Sequence, residues 1–179
     1  MNIHCMQTHS GKVVDLTRFS EEDVCVEDIA HALSQIIRFT GHARAPYTVA
    51  QHSLLVAELV PPQHRLWALL HDASEAYLGD VASPLKSLLP QYQELEEGFQ
   101  RIIAGRFDLP WPMPREVKDA DRAALMMEKR DLLLVHHDWP GQTEPDPNLR
   151  IAEVLPCWEA ESALKEEILS LLGGPDGRG

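Results

Sequence analysis

The most restrictive feature of this sequence is a stretch that is apolar nearly all round and yet carries ionisable groups in its middle. The periodicity predicts a helix over about residues 63–78, with Leu66, Leu69, Leu70, Ala73 and Tyr77 covering one side and Trp67 and Ala68 flanking the other. That pattern marks a central, buried helix. Between these residues sit His71, Asp72 and Glu75. His71 and Glu75 are four residues apart and share a face, with Asp72 about 100° round. Burying two carboxylates and an imidazole together is costly unless they pair or hold a cation.

Two further predicted helices carry ionisable residues on apolar faces. Thr48 is a good N-cap for a helix running through His52 to Val60 and ended by Pro61 and Pro62. His52 falls there on the face of Val49 and Val56. On a long helix over about residues 115–135, Val117, Ala124 and Val135 define an apolar line. Asp121 lies within about 40° of Val117 and Glu128 within about 20°, whereas Asp119 is about 200° away. Asp121 is therefore the inward carboxylate and Asp119 the solvated one. Glu128 is expected to pair with a buried cation, for which Arg38 is a candidate.

Elsewhere, Ile29, Leu33, Ile36 and Ile37 recur at helical spacing from Glu27 to Phe39, with Gly41 as the stop. Helical pieces are also expected near residues 86–89 and over 91–107 and 158–172, with a Pro-rich linker at 109–114 and a turn-rich stretch at 139–148. Residues 12–16 are a candidate short strand. With strands nearly absent, the fold class is all-α. The chain reads as a single domain: an N-terminal segment 1–25, a helical core 26–137, a loop and C-terminal helix 138–172 packed on it, and a frayed tail 173–179.

Composition narrows the partners. At 179 residues the chain can bury a sizeable core. The formal charge of −12 disfavours a nucleic-acid polymer or an anionic membrane as partner. It leaves room for a small anion in a pocket where a metal and a few Arg or Lys reverse the potential. Cys5, Cys25 and Cys157 are scattered without a CxxC pair, which argues against a disulfide framework or thiolate site. No apolar run approaches the roughly 20 residues of a membrane span, and no signal-peptide pattern is visible, so a cytoplasmic location is expected.

His52, His71, Asp72 and Asp121 together make a mixed nitrogen and oxygen set suited to Mn, Co, Ni, Fe or Zn. A single histidine on an apolar face is more often a hydrogen-bonded core residue, and the His-Asp dipeptide occurs twice, at His71-Asp72 and at His137-Asp138. The second copy precedes Trp139 and Pro140, where no helix continues. The buried helical setting of the first copy carries the argument.

The order His52, His71-Asp72, Asp121 resembles the signature of HD-domain phosphohydrolases, whose fold is an all-α helical bundle. The strings VAQHSLLVAEL, LLHDASEAYLGDVASPLK and VKDADRAALMMEKRDLL resemble the YfbR-like branch. That branch contains bacterial 5′-deoxynucleotidases, and phage dATP triphosphohydrolases are related to it. The resemblance covers about residues 27–134. It implies one divalent metal on His52, His71, Asp72 and Asp121, with Glu75 handling a proton for the attacking water or the leaving group. It also implies a phosphate-binding Arg38, an Asp80 that contacts the sugar 3′-hydroxyl, a Lys86 beside the phosphate pocket and a Pro84 bordering the base. Phe39 stands where the deoxynucleotidases carry Trp, and the smaller ring would exclude a ribose 2′-hydroxyl less firmly. The segment 38–47, with His42 and Arg44, differs from the shorter nucleotidase loop; its basic groups either meet a longer phosphate chain or are surface charges.

The leading expectation is hydrolysis of a nucleoside 5′-monophosphate. Attack at the α-phosphorus of a dNTP, releasing triphosphate, breaks the same bond and is the alternative. A metal-bearing but inactive ligand-sensing module is the alternative of another class. Glu75 has a second reading, as a support of His71 at helical spacing. Related enzymes form dimers or larger rings, so the resemblance also implies a homo-oligomer.

Overall fold

Thr48 starts the central helix as predicted: its Oγ1 accepts the Gln51 N–H at 3.1 Å, and α2 runs over Val49–Leu59. The computed structural model describes residues 3–135, 137–139 and 141–173. Before α2 come an antiparallel hairpin of β1 (Cys5–Gln7) and β2 (Val13–Asp15), paired Cys5↔Asp15 and Gln7↔Val13, and helix α1 (Val26–Gln35). After it come α3 (Arg65–Leu70), α4 (Glu75–Leu78), α5 (Ser83–Lys86), α6 (Pro90–Arg106), α7 (Arg115–Leu132) and α8 (Cys157–Leu171). The fold is all-α apart from the hairpin. The predicted tail lies outside the described residues except for Gly173.

α2 packs against α1, α3, α7 and α8, and α8 closes over α1 and α3. Its buried face carries Val49, Ala50, Val56 and Ala57, and with them His52 and Ser53. The core continues through Ile29, Leu33, Trp67, Leu69, Leu70, Leu164 and Ile168, all at most 1% exposed. The same core extends through α4 and α6 to the N-terminal segment, where Phe19 stacks on Phe99 with centroids 4.1 Å apart. No helix among the described residues is long and apolar enough to cross a membrane.

Three predicted helices are shorter than expected. α1 stops at Gln35, and Ile36 turns extended. Ile37 instead makes an antiparallel bridge with Thr48, and the Arg38 N–H donates to Tyr47 O at 2.9 Å. The apolar pair Ile36–Ile37 therefore closes the base of the loop 38–47 rather than extending a helix. α7 ends at Leu132, and Val135 is 64% exposed, so it belongs to no buried line.

The helix predicted over 63–78 is broken at its ionisable residues. Between α3 and α4 the backbone tightens to three-residue hydrogen bonds, Ala73 N–H to Leu70 O at 3.0 Å and Glu75 N–H to Asp72 O at 3.0 Å. The break strands the Ser74 N–H in the core, and Gln100 of α6 takes it together with a second bond to Leu70 O. Its Oε1 accepts from Ser74 N–H at 3.1 Å, and its Nε2 donates to Leu70 O at 2.6 Å. Replacing Gln100 with leucine is expected to cost roughly 1–3 kcal/mol, the penalty for unpaired buried polar groups. A urea midpoint unchanged from the parent protein would show that the Ser74 N–H finds another partner. α4 then ends at Gly79, whose φ of 81° and ψ of 158° are open only to glycine.

Candidate metal centre

The broken helix points His71 and Asp72 at α2 and α7. His52 Nε2 lies 3.2 Å from His71 Nε2. Asp121 Oδ1 is 3.1 Å from His52 Nε2 and 3.9 Å from His71 Nε2. Asp72 Oδ2 is 3.2 Å from His71 Nε2 and 3.7 Å from His52 Nε2. The four residues expected from the sequence thus converge on one point. Asp119 is turned away, ion-paired with Arg115 on the outer face at 3.3 Å, and the His137-Asp138 pair is exposed, away from the cluster.

The hydrogen bonds behind the imidazoles decide what this point can hold. His52 Nδ1 donates to Glu128 Oε1 at 2.6 Å, and His71 Nδ1 donates to Ala68 O at 2.7 Å. With each Nδ1 engaged in this way, the two Nε2 atoms face each other and two carboxylates. Positive charge at that point, a proton on His52 or a metal ion in its place, offsets the carboxylates. In a tetrahedral site with bonds of about 2.0–2.1 Å, two nitrogens lie about 3.4 Å apart, close to the 3.2 Å seen here. His52, His71 and Asp72 therefore form a buried cluster that can hold a metal ion, and Asp121 of α7 stands beside it, 3.1 Å from His52 Nε2.

Without a metal ion, the surrounding carboxylates favour a second proton on His52, which a metal would have to displace. Burial and Arg38 push the His52 ring down, but Glu128 and Asp121 outweigh them and raise it to about 9. Against the penalty of burial, the two histidines and Arg38 hold Asp72 far below the usual carboxylate range. Asp121 is also lowered, by His52 against its own burial. Glu128 is fully buried and receives Arg38 through Nε at 3.1 Å and Nη2 at 3.0 Å, besides His52. The expected pairing of Glu128 with Arg38 is present. It leaves Arg38 Nη1 pointing at Asp72 Oδ2, 3.7 Å away.

Glu75 is an inward acid without a settled partner. It is 4% exposed, and its Oε2 has no hydrogen-bond partner among the described residues. Burial, then Asp72 and Asp80, raise it well above the ordinary glutamate range. Lys86 Nζ stands 3.9 Å from Glu75 Oε1 but donates at 2.6 Å to Glu96 Oε1, so its charge is already shared. Asp80 is half-buried and raised, chiefly by burial. His71, Asp72 and Lys86 line a cavity of about 430 Å³ together with Glu96, Gln100 and Lys118, a size that suits one small ligand.

Other sequence-derived contacts are not assembled. His42, Arg44 and Pro84 are exposed and do not line this cavity. Among the described residues the side chains of His42 and Arg44 make no hydrogen bond or ion pair with the cluster. Phe39 lies under the Arg38 guanidinium, 5.7 Å from ring centroid to carbon. It adopts a left-handed φ of 57°, followed by Thr40 at 52°. Two successive non-glycine residues in that region are strained, and they sit beside the cluster. Gln100 and Glu96 were missed by sequence reasoning, although both are polar residues on the inward face of α6, at i−3 and i−7 from Ile103.

No family model matches this chain. It is 40% identical over 151 residues to the uncharacterized protein YfdR of Escherichia coli (strain K12), covering 84% of this chain and 85% of that protein. An uncharacterized protein of Rhodobacter capsulatus is 39% identical over 125 residues, covering 64% of each. The first match covers most of both chains rather than one motif, and by it the chain belongs to the same protein family as YfdR.

Proposed function

We propose that this protein is a metal-dependent phosphohydrolase of the HD superfamily that cleaves the 5′ phosphoester of nucleotides, acting on nucleoside 5′-monophosphates. The observation that supports it most is the meeting of two imidazole Nε2 atoms and two carboxylates beside a buried Glu75. A divalent ion held by His52, His71, Asp72 and Asp121 supplies Lewis acidity and a water of lowered pKa.

The chain's own groups do the rest. Glu75, whose carboxyl is raised by burial, passes a proton to the leaving 5′-oxygen as the P–O bond breaks and takes one from the attacking water. Arg38 Nη1 and Lys86 Nζ balance charge building on the phosphoryl oxygens. Asp80 accepts a hydrogen bond from a sugar hydroxyl. Glu128 does not touch substrate; by holding the His52 Nδ1 proton it fixes the tautomer that presents Nε2.

Metal-stripped protein resupplied with Mn, Co or Zn is expected to release inorganic phosphate from nucleoside 5′-monophosphates and to be silent in chelator. The ratio of ribo- to deoxyribonucleotide turnover reads the effect of Phe39. Release of triphosphate from dNTPs would move the substrate to the triphosphohydrolase type. Bound metal with no turnover of any nucleotide would overturn the enzymatic reading in favour of a ligand-sensing module.

A further inference from the structure

A second cluster of metal-ligating side chains shares no residue with the first. His9 in the β1–β2 loop, His31 of α1 and Glu161 of α8 each offer a ligand atom within 4.8 Å of the others. We propose that these three residues bind a zinc-class divalent cation and thereby fasten the N-terminal hairpin to α1 and α8.

The site is built rather than incidental to a mobile surface. Asp28, 2% exposed and one turn before His31, accepts from Ser10 N–H at 2.6 Å and from Ser10 Oγ at 2.8 Å. That carboxylate pins the hairpin loop and with it the neighbouring His9. On the helix side, Ser34 Oγ donates to His31 O at 2.7 Å and stands 3.5 Å from Glu161 Oε2. Lys165 and Glu27 tie α8 to α1 nearby at 3.3 Å.

The geometry is one side-chain rotation from a ligand set. The His9 and His31 rings stack with centroids 3.6 Å apart and planes 16° from parallel. Their in-plane lone pairs run parallel, so His9 must swing out of the stack to meet an ion beside His31 and Glu161, and its exposure permits that. His31 Nδ1 is 3.1 Å from Glu161 Oε2. A tetrahedral ion with bonds of about 2.0–2.1 Å needs ligand atoms about 3.4 Å apart, close to the His31–Glu161 spacing and inside the 4.8 Å span of the three residues. Two imidazoles and one carboxylate favour Zn, Ni or Cu over Mg or Ca, and exposed His9 leaves a ligand position open to water. Without an ion, the same residues are a stacked histidine pair with one hydrogen bond to a glutamate, and the experiment separates the two states.

Zinc should be titrated calorimetrically into the chelator-stripped full chain, the His9→Ala variant and the Glu161→Gln variant. His9 is exposed, so its removal leaves the core intact, which an unchanged circular dichroism spectrum verifies. Each variant is expected to bind one equivalent fewer than the parent. At zinc about a hundredfold above Kd, each is expected to lose about 5–10 °C of the zinc-induced rise in Tm. Equal stoichiometry and equal thermal shifts in all three proteins would overturn the proposal. Because the comparison is between proteins with the same His52–His71 cluster, neither outcome depends on that cluster's occupancy or activity.

Discussion

Glu128→Ala is expected to destabilise the metal-free protein by about 3–5 kcal/mol, the scale of removing one partner from a buried ion pair. Glu128 has no solvent exposure, and it is the shared acceptor for the Arg38 guanidinium and the His52 Nδ1 proton. Its loss leaves two donors in the core, one of them a guanidinium whose side chain is only 12% exposed. The lost pairing also frees the His52 ring to take the other tautomer, which would aim a proton rather than a lone pair at the centre. Metal affinity is therefore expected to fall by about 10–100-fold. Glu128→Gln keeps one acceptor oxygen and should lose less on both counts. Urea unfolding in chelator measures the first effect and metal titration the second. A loss below about 1 kcal/mol for the alanine variant would mean that water enters and solvates Arg38 and His52.

The centre was more legible in the sequence than the backbone that forms it. His52, Asp121 and Glu128 were readable because they sit on regular helices, where a 100° step converts spacing into direction. The same arithmetic separated Asp121 from Asp119, and the structure places the two on opposite sides. His71, Asp72 and Glu75 were flagged by being polar in an apolar stretch, but their relative directions could not be read from helical phase. Their backbone leaves the α-helix at that point, and the residue that permits this, Gln100, lies 26 positions from the Ser74 N–H it accepts from. A break satisfied across such a distance leaves no local mark. Ile36 and Ile37 misled for the opposite reason: their spacing fits a helix, yet the bridge to Thr48 gives them better use as extended residues. The basic loop residues His42 and Arg44 were readable as charges only. Nothing local says whether a loop side chain turns to a site or to water.

Asp121→Ala is expected to abolish stoichiometric metal binding at this centre. Phosphate release should fall by at least about 10³-fold, the scale of losing an electrostatic group at reacting atoms. Asp119→Ala, two residues away, should leave both within about twofold, because its surface pairing with Arg115 carries little energy. The contrast works because Asp121 is the only group α7 contributes directly to the cluster among the described residues, at 3.1 Å from His52 Nε2. Its side chain is 44% exposed, so it closes the centre from the solvent side and its removal costs the fold little. Stability in chelator should therefore change by less than about 1 kcal/mol, which separates a lost ligand from a damaged fold. Glu128→Ala has the reverse signature, a large stability loss with residual metal binding. If Asp119→Ala removed the metal, or Asp121→Ala kept it, the cation would have to sit outside the four-residue set. The proposed chemistry would lose its centre with it.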